Sequence, residues 1–169
     1  MASETEILEQ AVQYHRSGDW SQAEQLYRQI LASNPNHADA HHLMGVLAIQ
    51  AECYTVAIER IQQAIVISPL VADYHCNLGV ALEKIGQREA AAAAYRQALS
   101  IFPYYAEALN NLGVLLTAEG NPNEAMTLLR QALEIRPDYA DASSNLGAAM
   151  KAWLFRRICG SKLTIYRYE

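Results

Sequence analysis

The chain has 169 residues, 18% of them charged and 8% aromatic, with a formal net charge of −5. That length fits one domain, and no apolar run approaches the ~18 residues that cross a bilayer, so neither a membrane protein nor a membrane partner is expected. From Lys151 onward there are five basic residues and one acid, a local +4 that leaves −9 on the first 150 residues. An acidic body excludes the basic stripe of a nucleic-acid binder.

The N-terminus, Met-Ala-Ser-Glu-Thr-Glu, has no apolar stretch of the kind a signal peptide needs. The three cysteines, Cys53, Cys76 and Cys159, give neither a disulfide framework nor a zinc spacing. A cytoplasmic location is the simplest expectation.

A 34-residue period organises the chain: Gly45, Gly79, Gly113 and Gly147; Ala23, Ala57, Ala91 and Ala125; Pro35, Pro69, Pro103 and Pro137. A unit this short cannot bury its own apolar face, so the units must stack into a solenoid.

The first repeat, 4–37, opens on a capping-box pattern, Ser3 with Glu6. Gly18 ends its first helix, where a glycine adopts positive φ without strain. The second repeat, 38–71, has Glu52 at that place, which predicts the least ideal turn. In the third, 72–105, Leu78, Gly79, Leu82 and Ile85 mark one helix, Gly86 the turn, and Ala91, Tyr95, Ala98, Leu99 and Phe102 the second helix. The fourth, 106–139, turns at Gly120 and restarts at Asn121-Pro122-Asn123-Glu124, an N-cap, a proline at the first helical position and an acid in the first turn. A half repeat covers 140–153. Each second helix stops near its proline, since the residue before proline is pushed out of the helical region.

The run Asn-Leu-Gly…Ala-x-x-x-Tyr…Pro resembles the tetratricopeptide repeat (TPR) over residues 4–153. Leu78, Gly79, Ala91, Tyr95 and Pro103 sit at its hallmark positions, as do Leu112, Gly113, Ala125, Leu129 and Pro137. The usual tryptophan of the first helix is replaced by Ile7, His41, His75, Leu109 and Ser143, and the first repeat has Ala11 in place of the glycine. The resemblance implies an all-α fold, a right-handed α-α superhelix of about four and a half antiparallel helix pairs.

With each repeat glycine set at zero degrees, facing its partner helix, the residues six before, two before, one after and five after fall at about 120°, 160°, 100° and 140°. They form a stripe pointing away from the partner, toward the concave groove of such a solenoid. The stripe begins Asp39, Leu43, Val46, Gln50. The candidate peptide-binding residues follow: Asp73, Asn77, Val80 and Lys84; Glu107, Asn111 and Val114; Asp141 and Asn145.

Asparagine is a mediocre helix former, so three of them mid-helix at one spacing ask for a reason. A side-chain amide offers donor and acceptor and pairs with peptide backbone without reading sequence. The pattern resembles the asparagine ladder in the TPR superhelix of protein O-linked N-acetylglucosamine transferases. The other reading is that the asparagines bond to neighbouring helices and stabilise the stack; the two are compatible. The acids Asp39, Asp73, Glu107 and Asp141 sit in first turns, where the helix dipole favours them. They also oppose a carboxylate-gripping clamp of the chaperone-binding kind.

No phosphate loop, His-Glu-x-x-His or nucleophile elbow occurs, so no catalytic residue, cofactor or metal is expected. His41 and His75 fall on the partner-helix side; His42 and Cys76 fall on the groove flank without a third ligand to complete a zinc site. The reading is therefore a non-enzymatic scaffold for a protein or peptide partner. The alternative is a substrate-recruiting module related to a glycosyltransferase, acting with a catalytic partner in trans. The tail, 154–169, loses the repeat register: a helix is expected to run to about Cys159 and stop near Gly160. Trp153, Leu154, Phe155 and Ile158 are expected to cover the end of the stack, or to bury against a second chain end to end. A basic-aromatic membrane-surface anchor is the remaining reading of that segment.

Overall fold

A computed structural model describes residues 3–165, with side chains through Ile158. The 3.6-residue spacing of apolar positions becomes nine helices, with no strand among the described residues: α1 Glu4–Ser17, α2 Trp20–Ser33, α3 Ala38–Gln50, α4 Tyr54–Ile67, α5 Ala72–Lys84, α6 Arg88–Ile101, α7 Ala106–Ala118, α8 Pro122–Ile135 and α9 Ala140–Ile165. Two compact units divide them. Residues Met1–Ile101 contain α1–α6, and Phe102–Glu169 contain α7–α9. Inside each unit every helix packs on its neighbour in sequence, because turns of two to four residues force successive helices antiparallel and side by side.

Most helices are 13 or 14 residues long, too short to hold alone. Packing between paired helices holds them, and the period places the contact. A Cβ on Gly79 would lie 2.5 Å from Cε1 of Tyr95, and one on Gly113 2.7 Å from Cγ of Leu129. Ile61 fills the same place over Gly45. The missing side chain is thus a socket, sixteen residues before the knob that enters it. Beside each knob, Ala23, Ala57, Ala91 and Ala125 are completely buried, so no larger side chain fits there. Tyr95 is fixed at both ends: its ring lies on Gly79, and its hydroxyl donates to Glu83 at 2.9 Å.

The turns between paired helices share one hydrogen-bond pattern. Gly18 N–H donates to the His15 carbonyl and Asp19 N–H to the Tyr14 carbonyl, closing a Schellman motif. Gly86 with Gln87 and Gly120 with Asn121 repeat it, as do Glu52 and Cys53. The three glycines have φ of 80–84°, and Glu52 is forced to φ 59°, the one positive-φ residue other than glycine among those described. Tertiary pairing of α3 with α4 imposes the left-handed turn on a residue that resists it.

At the entry to α1, Glu6 N–H donates to Ser3 Oγ at 3.2 Å and Ser3 N–H to Glu6 Oε2 at 2.8 Å, the expected capping box. Asn121 is the N-cap of α8 and Pro122 its first residue, although the Asn121 side chain makes no capping bond. The loops entering α3 and α5 are tied alike. His41 Nε2 meets the Pro35 carbonyl at 2.9 Å, and His75 Nε2 meets the Pro69 carbonyl at 2.8 Å. Facing a carbonyl, Nε2 of each ring carries the proton.

The end of the chain departs from expectation. α9 does not stop at Cys159; it continues through Gly160 to Ile165 as one 26-residue helix. A glycine inside a helix costs only about 1 kcal/mol, and no proline follows to break it. Leu154, Phe155 and Ile158, expected to cover the end, stand at 51%, 69% and 51% exposure, because α9 runs straight where earlier repeats turn back. Lys162 lies beyond the described side chains.

Two stability measurements test this packing. Replacing Gly79 or Gly113 by alanine forces a methyl into a filled socket and should cost ~1–3 kcal/mol in urea denaturation. Unchanged stability would mean that the helix pairs are not in this register. Conversely, Glu52→Gly relieves the left-handed strain and should raise stability by up to about 1 kcal/mol; a loss would show the turn to be unstrained.

Candidate functional site

In α3, α5 and α7 the first helix of the repeat buries its glycine side and leaves much of the opposite side accessible. All nine candidate residues are accessible: Asp73, Lys84 and Asp141 are exposed, while Asn77, Val80, Glu107, Asn111, Val114 and Asn145 are half-buried. They lie on α5, α7 and α9. The first four belong to the first unit and the other five to the second.

In the first unit the stripe is crossed by polar bridges between consecutive first helices. Asn77 Nδ2 donates to His42 Nε2 at 2.8 Å. The His42 ring lies against that of Tyr74, centroids 4.5 Å apart, and the Tyr74 hydroxyl donates to Asp39. A further bridge joins α1 to α3: Gln50 Oε1 meets His15 Nε2 at 2.9 Å, and His15 Nδ1 meets the Tyr27 hydroxyl at 3.1 Å. Each inter-repeat pair, 39 with 74, 42 with 77, 15 with 50, is spaced 35 residues, one more than the period.

Burial sets the electrostatics of this cluster. Desolvation lowers the His42 pKa from 6.5, against the opposing pull of Asp73 and Asp39. The Tyr74 hydroxyl is pushed far up, first by burial and then by its hydrogen bond to Asp39 and the charges of Asp39 and Asp73. At neutral pH the ring is an uncharged acceptor and the phenol an uncharged donor, the states that the observed bonds require.

In the second unit Asn145 Nδ2 donates to Asn110 Oδ1 at 2.9 Å, again at a spacing of 35, and Asn110 Nδ2 donates to Asn111 Oδ1 at 3.2 Å. Asn110 is buried beneath this relay. Glu107 pairs with Arg136, whose guanidinium sits 4.5 Å from the Tyr139 ring centroid. Its charge is therefore already partnered. The amides of Asn77 and Asn145 are likewise half used by the stack. Among the described residues the carbonyl oxygens of Asn77 and Asn145 and the amide nitrogen of Asn111 have no protein partner.

Sequence reasoning missed Tyr74 and Asn110 as stripe residues, and it placed His42 only on the flank. The signal was present as polar pairs spaced one residue longer than the period, which a search for identical residues at 34 passes over. No group of three or more His, Cys, Asp or Glu is placed to hold a metal ion among the described residues. No described helix is long and apolar enough to cross a membrane.

The geometry has close counterparts. A protein titled MamA aligns with TM-score 0.78 at 22% identity, covering 95% of this chain and 88% of that one. YrrB, titled a TPR protein with an unusual peptide-binding site, aligns with TM-score 0.72 at 23% identity over 87% of this chain and 76% of that one. A mutant O-GlcNAc transferase from Thermobaculum terrenum aligns with TM-score 0.74 at 28% identity over 79% of this chain, which spans only 27% of that one. No curated protein matches the chain by sequence. One family model described as tetratricopeptide repeat matches residues 8–72 and 42–106, and a second matches 85–150. Together with the four helix pairs and the further helix α9 among the described residues, these matches show that the chain belongs to the tetratricopeptide repeat family, in the all-α solenoid class.

Proposed function

We propose that the chain is a non-catalytic interaction scaffold that holds an extended polypeptide along the stripe Asp73, Asn77, Val80, Lys84, Glu107, Asn111, Val114, Asp141 and Asn145. One observation carries the reading. The stack leaves an acceptor on Asn77, a donor on Asn111 and an acceptor on Asn145 unspent, at intervals of 34 residues. Backbone N–H and C=O groups of an extended chain match such donors and acceptors whatever its side chains are. Half-buried Val80 and Val114 add apolar contact beside them. Exposed Asp73 and Asp141 favour a polar or basic segment over one ending in a free carboxylate. A reducing, cytoplasmic setting fits three scattered cysteines that offer no disulfide framework.

A second reading is favoured by the likeness to the O-GlcNAc transferase. There the same stripe would recruit substrates for a catalytic partner supplied in trans. Affinity capture with the parent chain separates the two. A transferase among partners lost on mutation of the asparagines supports recruitment, while unrelated clients support the scaffold.

Replacing Asn77, Asn111 and Asn145 together by alanine should weaken a captured partner by ~1 kcal/mol for each lost bond. Helical content by circular dichroism should be kept, with the melting temperature falling because two bridges to neighbouring helices are removed. Undiminished affinity would reduce the amides to a purely structural role. Acid should act on the same cluster. Since burial lowers the His42 pKa below 6.5, the stability gained from its neutral form is complete above pH 6.5 and is lost as the pH falls below it. In urea titrations at neutral and mildly acid pH, the parent should lose more stability than His42→Gln, which keeps an uncharged acceptor. Equal losses would remove His42 as the cause.

A further inference from the structure

Three of the four repeat glycines are filled, and the fourth is not. Gly45, Gly79 and Gly113 receive Ile61, Tyr95 and Leu129 from the helix that follows, whereas a Cβ on Gly147 would meet nothing within 4 Å. The reason lies in the course of α9, which runs straight past the point where earlier repeats turn back at Gly18, Glu52, Gly86 and Gly120. Among the described residues, the face that a second helix would cover is open.

That face is also apolar for longer than in the other repeats. At 100° per residue, Leu154 and Ile158 fall within about 20° of Gly147, and Met150 about 60° to one side. All three are at least half exposed, at 51%, 51% and 50%. An open small-residue socket and a row of apolar knobs thus share one face of one helix, the socket on the N-terminal side.

We infer that this face binds the same face of a second copy of the chain, with the two α9 helices antiparallel about a two-fold axis near Met150 and Lys151. Self-complementarity selects this occupant. When Leu154 of one copy enters the Gly147 socket of the other, symmetry makes the reverse contact at once, as an isologous interface requires. The same register sets Lys151 beside Met150 of the second copy, where its alkyl stem packs while its ammonium reaches water.

Charge selects the orientation. Asp138 and Asp141 mark the start of α9, and Lys151 and Arg157 follow further along. Antiparallel pairing brings the basic stretch of each copy toward the acidic start of the other and opposes the helix dipoles; parallel pairing would set like on like.

Sedimentation of the full chain across a concentration series tests the pairing. The expected result is a reversible monomer–dimer equilibrium. Gly147→Leu fills a socket with free room in the single chain, so it should keep the melting temperature of the monomer while weakening association roughly tenfold or more. Leu154→Glu with Ile158→Glu should leave only monomer, with helical content unchanged. With the native cysteines replaced (Cys53→Ser, Cys76→Ala, Cys159→Ser), a single Lys151→Cys should give a disulfide-linked dimer under mild oxidation. A parent monomeric at every concentration overturns the inference. So does a dimer that survives the glutamate substitutions, which would place the interface elsewhere. A monomer that Gly147→Leu destabilises would show instead that the chain's own end folds back into the socket.

Discussion

The insertion of one bulky side chain into the place of a missing one carries the architecture. Tyr95 on Gly79 and Leu129 on Gly113 set how closely two helices of a pair approach, and the fully buried alanines at Ala91 and Ala125 permit that approach. The Schellman turns follow, since helices this close must be joined by a short reversal through positive φ. So does the strain at Glu52, where the pairing prevails over the residue's own preference. Dispersion and burial at these contacts outweigh a local cost of about 1 kcal/mol.

A second set of interactions works at right angles to the first. Knobs in sockets join the two helices of a repeat; polar bridges spaced 35 residues apart join the first helices of successive repeats. These bridges lie on the side away from the sockets, so they are half wet and leave part of each amide unspent. In the proposed function, the residues that fasten the stack are also the residues that would face a partner. The structural role of the asparagines is compatible with the proposed binding role, since an amide has more hydrogen-bonding capacity than one neighbour consumes.

α9 shows what happens when one half of this scheme is omitted. It keeps the glycine and the first-turn acid, Gly147 and Asp141, but runs on through the place where the other repeats turn, and among the described residues nothing fills its socket. A long helix with an open apolar face results. The sequence expectation failed here because it gave Gly160 the power to end a helix. With no packed neighbour requiring a reversal, a lone glycine lacks that power.

By itself the sequence determined the repeat length, the helix pairing, the turn positions and the capping box at Ser3. These depend on local spacing and on which residues tolerate contact or positive φ, and both are written in the order of the residues. Only the tertiary structure decided which polar groups meet across repeats. It made His42 and Tyr74 part of the stripe, assigned Glu107 to Arg136, and set Asn110 beneath Asn111 and Asn145. Those contacts depend on the offset of one helix against the next, which the stacking of whole helix pairs fixes and no single segment encodes.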